Sequence, residues 1–344
     1  MKYEVTIGIP VYNVEKYIRR AMESALAQTF SSVEFLVCDD GSQDSSISIV
    51  EDYQRSHPRG KDIRIVHQPR NMGLGNARNR IIEETRSKYL YHLDADDAIA
   101  PNTIELLYMA AQEYKAEMVY GSHERINDID NVITKVSWCY PAKQFFNKDE
   151  FACWVYRKYN GIQAMTWNFL IDIDVYRKNG LRHQPVNFWE DYLFTMDLPT
   201  YVSRVALLPD ITYYYYCREG SLSNYQKRNH IDKEEIMRTA RGLDKLKWQS
   251  DRIRNKSYFP RRMYKLMVTD FYVVCEILKN KDIISPVFTN QELHELMRTP
   301  LSFGDIIQFR QARLLNMILY VFWILPAPLS VAFMKLVAKI RKLI

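Results

Sequence analysis

Glycine is scarce in this chain, 11 residues in 344, and no GxxxxGK[ST] loop occurs, which excludes a P-loop phosphate cradle. Gly73-x-Gly75 lacks the third glycine of a dinucleotide fingerprint and follows the third predicted strand, not the first, so a dinucleotide-binding fold is not expected. The five cysteines, Cys38, Cys139, Cys153, Cys217 and Cys275, are odd in number and scattered. Their spacing suits neither zinc nor a disulfide framework, and a reducing compartment fits best. There are no repeats or low-complexity tracts, and no leader-like stretch is expected because a strand-like run, Val5 to Ile9, starts almost at once. Acids are missing from Ile306 onward, where Arg310, Arg313, Lys335, Lys339, Arg341 and Lys342 stand alone. The net charge of +6 therefore belongs to the tail, and the rest balances 41 basic against 41 acidic residues. A nucleic-acid partner would want a basic face on the folded body, so none is expected.

What is present is an alternation of strands and helices. Val5–Ile9, Val33–Cys38, Ile63–Val66, Tyr89–Leu93 and Met118–Tyr120 read as short apolar strands. Helical spacing falls between them, as in Ile18, Ala21, Met22, Ala25 and Leu26, with Asn13 placed to cap that helix. Such spacing predicts βαβ units and a doubly wound, mostly parallel sheet of the α/β class. Past Phe146 the alternation weakens; Val205–Leu208 and Thr212–Tyr216 read as two strands, the second an edge or hairpin, and Ile231 to about Asn280 reads as helical.

Four successive strand ends are polar or acidic: Asn13, Asp39/Asp40, His67 with Asn71, and Asp94/Asp96/Asp97. In open α/β sheets ligands bind beyond the carboxyl ends of the strands, so this recurrence points to a nucleotide site. Three carboxylates within four residues repel one another and call for a cation, arginines or solvent. A divalent metal carrying a diphosphate would satisfy them; a turn with a helix cap is the plain alternative. Glu190-Asp191 lies in an aromatic stretch, Phe188 to Phe194. Paired acids among apolar neighbours suit a general base, and equally the first turn of a helix. Arg218 and Ser221 suit phosphate oxygens or a mere exposed turn.

Pro10-Val-Tyr-Asn13, Asp39-Asp-Gly-Ser42, Asn71-x-Gly73 with Ala77-Arg-Asn79, Asp94-Ala-Asp96-Asp97 and Glu190-Asp191, in this order, resemble the family 2 glycosyltransferases of the GT-A fold. The resemblance covers residues 1–225 and implies a nucleotide-sugar donor (UDP by default), Mn2+ or Mg2+, and an inverting displacement onto a lipid-linked or growing cell-surface glycan. It implies Pro10, Tyr12 and Asn13 at the nucleoside, Asp40 at uracil or ribose, Arg78 near the diphosphate or sugar, and Asp94 facing ribose or donor sugar. Asp96 would bind the metal, Asp191 would be the general base with Glu190 beside it, and Arg218 and Ser221 would hold the diphosphate. Trp167, Asn168 and Trp189 are the acceptor-binding candidates. The reading requires the acids near positions 96 and 191 to meet across one cleft. A nucleotidyltransferase and a non-catalytic nucleotide-sugar-binding scaffold are the alternatives.

The expected organisation is a catalytic domain over 1–225 (donor half 1–120, acceptor half 121–225), a helical region over 226–304 and a basic apolar tail over 305–344. The 21 residues from Leu314 to Met334 carry no charge but are broken by Pro326 and Pro328. Lys335, Lys339 and Lys342 form one stripe of a following helix. That pattern suits a bent hairpin lying on the cytoplasmic face of the plasma (inner) membrane. A spanning helix or a homo-oligomer interface are the other uses of such a segment.

Overall fold

The computed structural model describes residues 2–129, 132–157, 164–186, 189–217 and 229–344. In chain order its elements are β1 (Val5–Val11), α1 (Ile18–Leu26), β2 (Val33–Asp39), α2 (Ser46–Ser56), β3 (Ile63–His67), α3 (Leu74–Glu84), β4 (Tyr89–His92), β5 (Ala98–Ile99) and α4 (Thr103–Glu113). They continue with β6 (Met118–Ile129), β7 (Val132–Trp138), β8 (Lys143–Phe145), α5 (Glu150–Arg157), β9 (Phe169–Asp172), α6 (Ile173–Asn179), α7 (Glu190–Thr195) and β10 (Val205–Cys217). Then come β11 (Ile231–Asp232), α8 (Lys233–Gln249), α9 (Phe259–Lys279), β12 (Ile284–Ser285), α10 (Asn290–Glu295), α11 (Phe303–Gln308), α12 (Arg313–Ile324) and α13 (Ala327–Ile340). The chain forms two compact units, Met1–Phe151 with Ala164–Asn224, and Ala152–Gln163 with Tyr225–Ile344.

The first unit is a mixed α/β sheet in the order β3-β2-β1-β4-β9-β6-β10-β5, with β7 on β6 and β8 on β10. β1, β2, β3 and β4 pair in parallel. Every residue of β1 and β2 is buried, which is why these segments read as mostly apolar runs, with Thr6 and Glu34 paired to each other inside. The strand order reverses between β1 and β4, and the crevice beyond their carboxyl ends is where such sheets take ligands. β9 runs antiparallel between β4 and β6. The two strands expected at 205–208 and 212–216 are one, β10, paired in parallel with β6 through register shifts between Leu207 and Tyr213. Pro209 cannot donate to the ladder, and the irregularity absorbs it without ending the strand. β10 is interior to the sheet, not an edge.

α1 buries Ile18, Ala21, Met22, Ala25 and Leu26, as their spacing predicts, but its N-cap is Tyr17. Asn13 instead adopts φ 49° and accepts the Gln43 N–H at 2.8 Å, which ties the β1–α1 loop to the β2–α2 loop.

The second unit is helical. Arg262 on α9 is buried, donating to Tyr156 Oη at 2.7 Å and Ser250 Oγ at 3.0 Å. The chain after 304 packs into this unit: Phe322 on α12 stacks on Phe271 of α9 at 5.4 Å, and Asn316 donates to the Pro260 carbonyl at 2.9 Å. Leu325 and Pro326 separate α12 from α13, and Pro328 sits in the first turn of α13, where its missing N–H costs nothing. No helix among the described residues is long and apolar enough to cross a membrane.

Candidate active site

The carboxyl end of β4 delivers Asp94, Asp96 and Asp97 in one turn, and each is held differently. Asp97 is buried; it accepts Tyr213 Oη at 2.7 Å and the Tyr216 N–H at 2.8 Å. Burial, then the Asp96 and Asp94 charges, push its pKa well up. Asp97 thereby fastens β4 to β10. Asp96 has its backbone carbonyl taken by Arg20, whose guanidinium lies 3.5 Å from the centre of the Tyr216 ring. Asp94 accepts Arg78 Nη2 at 2.9 Å.

Arg78 is the hub. It projects from α3 and is 0% exposed. Besides Asp94 it reaches Asp191 Oδ1 with Nη1 at 2.5 Å and lies 3.5 Å from Glu190 Oε1. Asp94 and Asp191, 97 positions apart in the chain, therefore meet on one guanidinium. Burial opposes the charge on Arg78, but Asp191, Asp94 and Glu190 outweigh it and hold the group charged. One cation against three carboxylates leaves the cluster short of positive charge. Burial pushes Asp94 up to about 6 against the pull of Arg78, and burial with the neighbouring Asp191 pushes Glu190 up to about 8. Asp191 also accepts from Thr166 Oγ1. Arg78 is closed off, whereas Asp94 and Asp191 keep 21% and 23% of their side chains exposed, so solvent meets the acids and not the cation.

Behind the guanidinium lie His92 and His183, both buried, their rings 6.2 Å apart and edge to face. Burial, then the Arg78 charge, hold His92 down at about 3 and lower His183 as well, so both are neutral. α3 reaches this position through a tight loop. Gly73 takes φ 90°, and a Cβ on Gly75 would come within 2.5 Å of the Gln184 carbonyl. The Asn71-x-Gly73 motif is thus a backbone requirement.

The remaining candidates divide. Pro10 is buried in β1 beside Cys38 of β2, and Tyr12 is exposed just beyond it. Asp40 accepts Gln68 Nε2 at 2.7 Å and the N–H groups of Met72 and Gly73 at 2.8 Å each. Three of its about four acceptor positions therefore hold the β3–α3 loop. Trp167 and Asn168, expected at the acceptor, are interior. Trp167 stacks on Tyr213 at 4.1 Å. Asn168 donates to the Gly121 and Ser122 carbonyls and accepts from Tyr91 and Thr212. A polar side chain buried against four partners joins the start of β9 to β4, β6 and β10 and is not waiting for a sugar. Trp189 precedes α7 at φ 59°, partly exposed, with Tyr192 6.0 Å away. Arg218 and Ser221 lie outside the described residues. Thr166, Tyr213 and Arg20 were not singled out in the sequence; Tyr213 stood within the Tyr213–Tyr216 run, while nothing marked Thr166.

No three His, Cys, Asp or Glu among the described residues come together to hold a metal. An ion here would take Asp96 with oxygens from a bound ligand, the mode that hard cations adopt with phosphates.

Residues 6–184 match a family model described as glycosyl transferase family 2. A chondroitin synthase of Escherichia coli is 37% identical over 134 residues, covering 38% of this chain and 18% of that protein. A cholesterol galactosyltransferase of Borreliella burgdorferi is 26% identical over 288 residues, covering 81% of this chain and 79% of that protein. The chain thus spans under a fifth of one relative and about four fifths of the other. The crystal structure of S. aureus TarS 1–349 in complex with UDP superposes with a TM-score of 0.60 at 16% identity, over 96% of this chain and 88% of that one. The complex with UDP-GlcNAc gives 0.55 at 18%, over 90% and 77%. The fold is shared.

Proposed function

The chain belongs to glycosyl transferase family 2, and on that premise we propose that it moves a sugar from a UDP-linked donor to a hydroxyl of a lipid-linked or growing cell-surface glycan, with inversion at the anomeric carbon. Membership makes it a glycosyltransferase, not a nucleotidyltransferase or a bare scaffold. The observation that carries the finer reading is the bridge from Asp94 through Arg78 to Asp191. It supports a single cleft with a donor-side acid and an acceptor-side acid. That TarS structures hold UDP and UDP-GlcNAc in the same fold supports the choice of donor.

The chemistry follows from the residues. The acceptor hydroxyl is a weak nucleophile until its proton leaves, and Asp191, open to solvent on one edge, takes that proton. The hydroxyl oxygen then bonds to the anomeric carbon as the bond to the diphosphate oxygen breaks, and the electron pair departs on UDP. Thr166 and Arg78 hold the Asp191 carboxylate in one orientation, so little reorganisation accompanies proton transfer. Glu190, protonated near neutral pH, presents a donor beside it. Asp94, on the β4 side of Arg78, faces the donor sugar, with Tyr12 at the nucleoside. Asp96 would hold Mn2+ or Mg2+ together with diphosphate oxygens; when bound, such an ion offsets the negative charge of the leaving group.

The test is a screen of nucleotide sugars for release of free nucleoside diphosphate, with and without EDTA. UDP release from at least one UDP-sugar, lost with EDTA and in Asp96→Asn, is expected. Release only from guanosine- or thymidine-linked donors would overturn the donor assignment, and release unaffected by EDTA would overturn the metal.

A further inference from the structure

The helices α12 and α13 turn large apolar side chains outward. Among the described residues, 10 of the 17 exposed large hydrophobics lie between Phe303 and Ile344, so the exposure is concentrated and not scattered. On α12 the outward set is Leu314, Ile318 and Ile324; on α13 it is Leu329, Phe333, Leu336 and Ile340. The α13 set recurs at helical spacing as one stripe; on α12 Leu314 and Ile318 share a face and Ile324 ends the helix. The opposite faces are filled, by Asn316, Leu319 and Phe322 on α12 and by Ser330, Val331, Met334 and Ala338 on α13. The outward stripes are therefore surplus to the packing of this unit.

The charge beside them has one sign. Lys335 and Lys339 fall on the flank between the outward and inward faces of α13, Lys342 follows just past the end of the helix rather than continuing its stripe, and all three are exposed. No Asp or Glu occurs from Ile306 onward, and none of these three lysines, nor Arg310, Arg313 or Arg341, forms an ion pair among the described residues. An apolar face flanked by unpaired cations is complementary to an anionic lipid surface, with the side chains immersed at the acyl boundary and the ammonium groups at the headgroups. A second copy of this chain would bring the same cations against these, and like charges would repel.

We propose that α12 and α13 dock this protein on the surface of an anionic bilayer, lying in the interface without crossing it. In a cell that surface is the cytoplasmic leaflet of the plasma membrane, where anionic lipid is concentrated. The proposal rests on no assignment of donor or acceptor, and its test reads no turnover.

The experiment is flotation of the full chain with vesicles of phosphatidylcholine alone and of phosphatidylcholine with phosphatidylglycerol, at low and high salt. Flotation with the anionic vesicles only, weakened by salt, is expected. Each lysine near an anionic surface contributes about fivefold, so the triple change of Lys335, Lys339 and Lys342 to Gln is expected to weaken partitioning about a hundredfold. Leu329→Gln with Leu336→Gln is expected to lower it as well, with an unchanged melting curve because both side chains are exposed. Equal binding to neutral and anionic vesicles, or none to either, would overturn the proposal even if every variant misfolded, since the unaltered protein decides it. A concentration-dependent dimer that Leu336→Gln dissociates, without flotation, would assign the face to a second copy and equally overturn it.

Discussion

Arg78 in the first unit and Lys247 in the second are both removed from solvent, 0% and 1% exposed, and both are held by carboxylates. Lys247 meets Asp270 at 2.8 Å, a residue itself 4% exposed, gives a hydrogen bond to the Arg298 carbonyl, and has Asp244 at 3.5 Å. Burial pushes Asp270 up to about 6 against the pull of Lys247. The Lys247–Asp270 pair is closed and fixes α8 to α9, with Asp244 on its outer side at 35% exposure. Around Arg78 the nearest carboxylates reach the surface. Burial of the cation is common to both, so it does not mark a site; the difference is that the carboxylates bonded directly to Arg78 reach solvent, whereas the one bonded directly to Lys247 does not. The same desolvation cost that makes a closed pair a weak source of stability becomes, in the open case, the means of holding carboxylates at fixed places beside a ligand.

The sharpest way to separate the two is to remove each cation. Arg78→Met leaves three acids without their partner, and loss of turnover together with about 3–5 kcal/mol of stability is expected. Lys247→Met is expected to cost a similar about 3–5 kcal/mol in denaturant unfolding while leaving turnover per folded molecule within about twofold. If Lys247→Met abolished turnover in folded protein, the contrast would fail. Asp40→Asn comes next in size. It weakens the clasp on the Met72 and Gly73 N–H groups, and a loss of about 1–3 kcal/mol with weaker donor binding is expected from unfolding and calorimetry.

A further contrast, read against pH, concerns Glu190. Its folded pKa, about 8, lies above the ordinary 4.5, so folding favours the protonated form. Stability from this group is present below about pH 4.5 and is lost as pH rises towards 8. Glu190→Gln cannot ionise, so its melting temperature relative to the unaltered protein is expected to rise steadily from pH 5 to pH 8. A difference that stays flat over that range would mean that Glu190 is ionised in the fold.

Much of the first unit was legible because its strands are buried on both faces and so spell apolar runs, each stopped by polar residues at one edge of the sheet. Asp94 and Asp96 stand out that way, and Glu190 and Asp191 as paired acids in an aromatic stretch. Two things do not. The role of Arg78 depends on α7 folding back onto α3 across more than a hundred residues, and no local pattern encodes that closure. Trp167 and Asn168 were acceptor candidates; what settles them inside is the stacking of Tyr213 and the carbonyls of Gly121 and Ser122, groups supplied by β6 and β10. Likewise Pro209-Asp210 reads as a turn, yet the ladder with β6 carries the strand through it. In the second unit the boundary at 304 followed composition, while the apolar inner faces of α12 and α13 complete the same core as α9.

The most direct measurement is a paired one on Asp191→Asn: donor affinity by calorimetry and transfer by product formation, on the same preparation. Donor affinity within about threefold of the unaltered protein, with transfer reduced at least about a hundredfold, is the expected result. Transfer retained in a variant that still binds donor would contradict the role of Asp191 and with it the reading of the Asp94–Arg78–Asp191 bridge as the two sides of one reacting centre.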